Sequence, residues 1–63
     1  MQAYQERVVD EYKELRSKRE RLGLFLAKPP VPVPSDELDR MRRQFNIMVE
    51  YEGVLQERID RFK

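Results

Sequence analysis

A chain of 63 residues with no cysteine and no histidine has no disulfide staples or zinc ligand sets, and at this length folding removes only about 60% of the unfolded surface from water. Charged residues make up 40% of the chain yet nearly cancel, 13 basic against 12 acidic for a net +1, which argues against a dedicated binder of duplex nucleic acid, whose face carries a basic excess. No apolar run approaches the roughly 18 residues of a membrane span, and Met1 leads straight into polar residues, so neither a membrane helix nor a secretory leader is expected, and a reducing intracellular setting is.

In the first segment Val8, Tyr12, Leu15, Leu22 and Leu26 recur at alternating steps of three and four, with Arg19 on the missing rung. That spacing predicts a helix over about residues 2–27 with one apolar seam. Tyr4, Val9 and Phe25 widen its face. Gly23 costs about 1 kcal/mol against Ala among good helix formers, and marks either close approach of another backbone or fraying before the prolines. The run Arg16–Arg21 is basic; it reads as a solvated helix face or as a phosphate-binding cluster.

Prolines at 29, 30, 32 and 34 fix φ and remove backbone donors, so no helix or ladder strand runs through 28–35. In a polyproline II conformation at about 3.1 Å per residue this elbow reaches roughly 20 Å, more than the 8–10 Å between packed helices, so the chain can reverse. It also contains a Pro-x-x-Pro spacing that an SH3-type domain would read, although a short elbow serves first as a spacer. Ser35 is placed to cap a second helix over about 36–62, with Asp36, Glu37 and Asp39 at the positive end of its dipole.

In that second helix Leu38, Met41, Phe45, Met48, Glu52, Leu55, Ile59 and Phe62 keep an unbroken 3-4 pattern, and a second row, Ile47, Tyr51 and Val54 continuing to Arg58, runs beside it. A hairpin partner covers one row, so the other predicts contact with a further copy. The fold class expected is therefore all-α, an antiparallel two-helix hairpin in a single domain, assembling as a helical homo-oligomer. Turning about the prolines, the hairpin pairs Leu22 with Met41, Leu15 with Met48 and Val8 with Leu55. Arg19 then falls beside Phe45, and the Tyr12 hydroxyl can donate to Glu52.

No catalytic constellation can be assembled without His or Cys, and no Gly-rich phosphate loop follows a strand, so an enzyme is not expected. Aromatic groups do adjoin cations, Tyr4 with Arg7 and Tyr51 with Arg58. Flat rings stack bases while guanidinium groups hold phosphates, so such pairs suit a nucleotide at a junction of protomers. They suit ordinary interface packing equally.

The runs Gln5-Glu6-Arg7-Val8 and Tyr51-x-x-Val54-Leu55-x-x-Arg58-Ile59-x-x-Phe62, set in the two heptad patterns, resemble those of the phage anti-CBASS cyclic-nucleotide sponges, whose helical hairpin is shared with an anti-Thoeris sponge. The resemblance spans nearly the whole chain. It implies a homo-oligomer, a hexamer in the anti-CBASS members, that acts in the host cytoplasm by binding cyclic di- or trinucleotides without cleaving them. It implies no cofactor. Carried over by position, Tyr4 is implied as a base-stacking group and Arg7, Lys18 and Arg58 as phosphate or base-edge donors. The residues alone also allow a structural or adaptor hairpin that works through protein contacts.

Overall fold

The computed structural model describes residues 1–62 and contains two helices, α1 (Ala3–Ala27) and α2 (Ser35–Asp60). They lie antiparallel along one another in a rod of 45 × 16 × 14 Å. At 1.5 Å per residue, α2 alone accounts for about 39 Å of that length.

The shielded residues are the two seams. On α2, Leu38, Met41, Phe45, Met48, Glu52 and Ile59 are half-buried and Leu55 is fully buried, and Phe62, just past its end, is half-buried too. On α1, Val8 is buried, with Tyr12, Leu15, Arg19, Leu22 and Leu26 half-buried. Helices meeting along one stripe exclude water only at its centre, which is why Val8 and Leu55 are the whole fully shielded core among the described residues.

The register differs from a simple turn about the prolines. Gly23 lies against Phe45, Arg19 pairs with Glu52, and Tyr4 meets Phe62, contacts whose indices sum to 68, 71 and 66, above the 63 or 64 of the simple register. Helix α1 is thus level with α2 about four residues later than the symmetric hairpin requires, so Ala27 stands near Met41 and the first turns of α2 overhang by about 9 Å. The linker, residues 28–34, bends at Lys28, Pro30 and Val31 and is long enough to cover that overhang as well as the gap between the axes.

Two seam contacts change with the register. Glu52 accepts from Arg19, Nε to Oε2 and Nη2 to Oε1 at 3.3 Å, in place of the Tyr12 hydroxyl. The Arg19 guanidinium goes to Glu52, and Phe45 packs on Gly23, where a Cβ would lie 3.1 Å from the ring. The close approach at Gly23 is therefore to an aromatic ring, and it is neither a backbone contact nor fraying, since α1 continues to Ala27. One slide of about a turn brings together the only two charged residues of the seams and gives the Phe45 ring a gap to enter. The hydrogen bonds that Arg19 donates to the Glu52 carboxylate hold its guanidinium above the ordinary arginine pKa, against partial desolvation, which pulls it down.

The helix starts are also specific. The Gln2 amide donates to Gln5 Oε1 at 2.8 Å at the start of α1. Ser35 does not cap α2. Pro34 occupies that position at φ −55° and ψ 144°, its carbonyl accepting from the amides of Glu37 and Leu38 at 3.1 and 3.0 Å. Proline brings no amide that needs a partner, and Ser35 becomes the first helical residue. No helix among the described residues is long and apolar enough to cross a membrane.

Candidate functional site

Each seam divides its helix into two flanks. On α1, Val9, Arg16 and Glu20 fall on one and Arg7, Glu11, Glu14 and Lys18 on the other; on α2, Val49 and Gln56 oppose Ile47, Tyr51, Val54 and Arg58. A groove lined by Val9, Tyr12, Arg16, Gln56 and Ile59 shows that the first flanks face the same side of the hairpin. The other two flanks therefore share the opposite side. Tyr4, Arg7, Lys18 and Arg58 all belong to it.

Within that side the structure brings three of the four to the open end. Tyr4 is 52% exposed with its ring edge-on to Phe62, centroids 5.9 Å apart at 80°. In the observed register Arg7 is level with residue 61, so Arg58 follows within about 5 Å along the axis. Lys18 is not among them; it lies 14 residues beyond Tyr4, roughly 21 Å, at the level of Tyr51. Arg7, Lys18 and Arg58 are exposed and make no ion pair among the described residues. Other arginines are engaged: Arg16 with Glu20, Arg40 with Asp36 and Glu37, and Arg42 with Asp39. Arg58 lies in the last turn of α2, where its charge also answers the helix dipole.

From near Arg58 to just past the level of Lys18 runs the second row of α2, with Ile47, Tyr51 and Val54 left 57%, 43% and 51% exposed. Nothing in the hairpin covers it. Its aromatic member, Tyr51, is level with Lys18, and Arg58 lies about 10 Å from it toward the open end. The same side thus offers flat rings and cationic donors, the two groups that a nucleotide's bases and phosphates require.

The groove on the opposite side was not legible in the sequence as a surface. It encloses about 570 Å³ over Val9, Leu24 and Ile59, with Lys13, Arg16 and Arg21 around it. A second shallow depression on the outer face of α1, lined by Ser17, Lys18 and Arg21, adjoins it. The sequence signal was present in the basic run Arg16–Arg21, but Leu24, 74% exposed, gave no sign that it continues the apolar line begun by Val9.

The fold and these surfaces define a small helical hairpin with uncovered apolar and cationic faces. The chain belongs to the Sequestin family, whose model matches residues 2–61. Comparison with curated proteins and with solved structures gives no match.

Proposed function

We propose that this Sequestin-family protein is a phage-encoded sponge, which binds cyclic di- and trinucleotides in the host cytoplasm and withholds them from CBASS-type immune effectors without cleaving them. The family's name supports sequestration, and the resemblance of the Gln5–Val8 and Tyr51–Phe62 runs supports the ligand class. The observation that carries the reading is the gathering of Tyr4, Arg7 and Arg58 at one end of one side, exposed, with neither arginine in an ion pair among the described residues. A phosphodiester brings fixed negative charge and a base brings a flat face, so guanidinium donors beside a ring match both. With no His and no Cys, the chain offers binding groups without an evident nucleophile or neutral-range proton carrier.

Sequestration at useful affinity also needs rigid elements, because ordering a mobile site subtracts from binding. A rod with a thin core gains rigidity when further copies cover its uncovered row, and a homo-oligomer, hexameric by the family resemblance, is part of the proposal. The same exposed row, Ile47, Tyr51 and Val54, is what favours the second reading, a structural or adaptor hairpin acting through protein contacts.

Thermal melting with and without a panel of cyclic di- and trinucleotides separates the two. A ligand at about 100 times its Kd adds roughly 2.7 kcal/mol, a shift on the order of ten degrees for so small a domain. A shift with at least one cyclic oligonucleotide, absent with its linear form, is the expected result. An unchanged melt across the panel leaves the adaptor reading.

A further inference from the structure

The hairpin encloses little by itself. Val8 and Leu55 are its only buried side chains among the described residues, and the trough over Val9, Leu24 and Ile59 lies open along one side. Beside that trough α2 carries a stripe at alternating steps of four and three, namely Arg42, Asn46, Val49, Gly53, Gln56 and Asp60, every one of them exposed. The stripe is complementary to its own reverse. Partners whose numbers sum to 102 set Arg42 against Asp60, Asn46 against Gln56 and Val49 against Gly53.

We infer that two copies pair through this stripe, antiparallel about a two-fold axis at the level of residue 51, and so close the trough into the interior of a four-helix bundle. Every match then occurs twice, once on each side of the axis. Arg42 gives Nη1 to Asp39 at 3.2 Å and keeps further guanidinium donors for the carboxylate of the other copy. Asp60 accepts from Gln56 at 2.8 Å, and a carboxylate takes more than one donor. Within its own chain a Cβ at Gly53 meets nothing within 4 Å, and a glycine inside a helix weakens it. Between two copies the bare backbone there gives Val49, 46% exposed, a place to seat.

The charges around the stripe obey the same reversal. On its outer edge Asp39 is set near Arg61 and Arg43 near Glu57, and only Glu50 meets its like, on the axis. On its inner edge Glu52 is already bound by Arg19. On α1 the axis falls level with about residue 18, between Arg16 and Glu20, so each of these meets the other's counterpart and Val9 comes level with Ala27. Lys13 and Arg21 stand farther round α1, toward the outside of the bundle. The row on the opposite side of α2 lacks this complementarity, because its reversal sets Arg40 against Arg58. The inference rests on the assembly part of the function proposed above and is independent of which ligand is bound.

The chain has no cysteine, so introduced thiols report the contact directly. Val49→Cys mixed with Gly53→Cys, without ligand and under mild oxidation, is expected to give a disulfide-linked dimer of one chain of each. Either variant alone should crosslink at least about tenfold more slowly, because its two thiols sit about 6 Å apart along the axis. Charge exchange gives an independent reading by sedimentation velocity, with far-ultraviolet circular dichroism to follow helicity. Arg42→Glu and Asp60→Arg, each acting twice, are expected to weaken association about tenfold or more. Their equimolar mixture, and the chain carrying both changes, are expected to regain the wild-type association, since opposite charges meet again at both ends. Crosslinking of the cysteine mixture no faster than of either variant alone, or a helical doubly exchanged chain no better associated than the single ones, overturns the pairing. An oligomeric wild type with either result keeps the assembly reading and loses this contact. A monomeric wild type loses both, and ligand-induced stabilisation is judged separately by the melt.

Discussion

Gly23 and Gly53 are both helical, yet the structure gives them opposite roles. A Cβ at Gly53 meets nothing within 4 Å, whereas one at Gly23 comes 3.1 Å from Cε2 of Phe45. Replacing a mid-helix glycine with alanine gains about 1 kcal/mol when nothing opposes it. Gly53→Ala should therefore raise the melting temperature by several degrees, while Gly23→Ala loses that gain by displacing the Phe45 ring and raises it less or lowers it. Parallel thermal unfolding of the two variants is the check, and equal stabilisation by both would show that the ring yields freely. Arg19 and Glu52 are coupled through the same slide. Each was visible as a lone charge in an apolar stripe, but the symmetric register set Glu52 opposite Tyr12 and Arg19 beside Phe45, and only the slide pairs the two charges. An arginine raised above its ordinary pKa contributes stability that persists below that value and is lost only as pH rises through the raised one, so the Arg19 guanidinium gives no slope near neutrality.

At the scale of elements, both helices follow from periodicity, and their seams coincide with the shielded residues because burial along one stripe is what the 3-4 spacing encodes. The helix starts and the register do not follow from it. Ser35 has the chemistry of a cap, but Pro34 carries the cap conformation and its carbonyl closes the first turn. Ser35→Ala should accordingly change stability by less than about 0.5 kcal/mol, against roughly 1 for loss of a true capping side chain. Urea unfolding of this variant measures the difference, and a cost near the larger figure would restore Ser35 as the cap. Register escaped the sequence because a linker over residues 28–34 can span more than the gap between two helices and so tolerates a slide of a turn; the choice is made by Gly23, Phe45, Arg19 and Glu52, residues far apart in the chain. The candidate site was legible in part for a related reason. Any antiparallel hairpin brings Tyr4 and Arg7 near Arg58 whatever the register, but the groove on the far side depends on Val9, Leu24 and Ile59 lining up across the helices, and a lone exposed leucine gives no such notice.

For the molecule as a whole, the radius of gyration of 14.5 Å exceeds the roughly 11 Å of a compact chain of this length. A rod this thin cannot enclose a ligand by itself. One side holds Tyr4, Arg7 and Arg58 at the open end, with Lys18 roughly 21 Å away along α1, a span that a rigid helix does not shorten. If all four act on one cyclic nucleotide, as the resemblance implies, Lys18 must come from a different copy than Tyr4, so the site exists only in the assembly. That arrangement permits complementation between damaged chains. A Tyr4→Ala homo-oligomer lacks the stacking ring at every site and a Lys18→Ala homo-oligomer lacks the distal cation at every site, but mixed oligomers contain some junctions where an intact Tyr4 from one copy faces an intact Lys18 from another. Titration calorimetry should therefore find each variant alone weakened by at least about tenfold, since a charge-assisted contact or a stacked ring contributes 1–3 kcal/mol. After subunit exchange, the mixture should recover tight binding at a minority of its sites. Recovery to less than half the wild-type stoichiometry, with wild-type affinity at those sites, is the signature of a shared site. Full affinity in either variant alone would remove that residue from the site, and a mixture no better than its components would place both residues on the same copy.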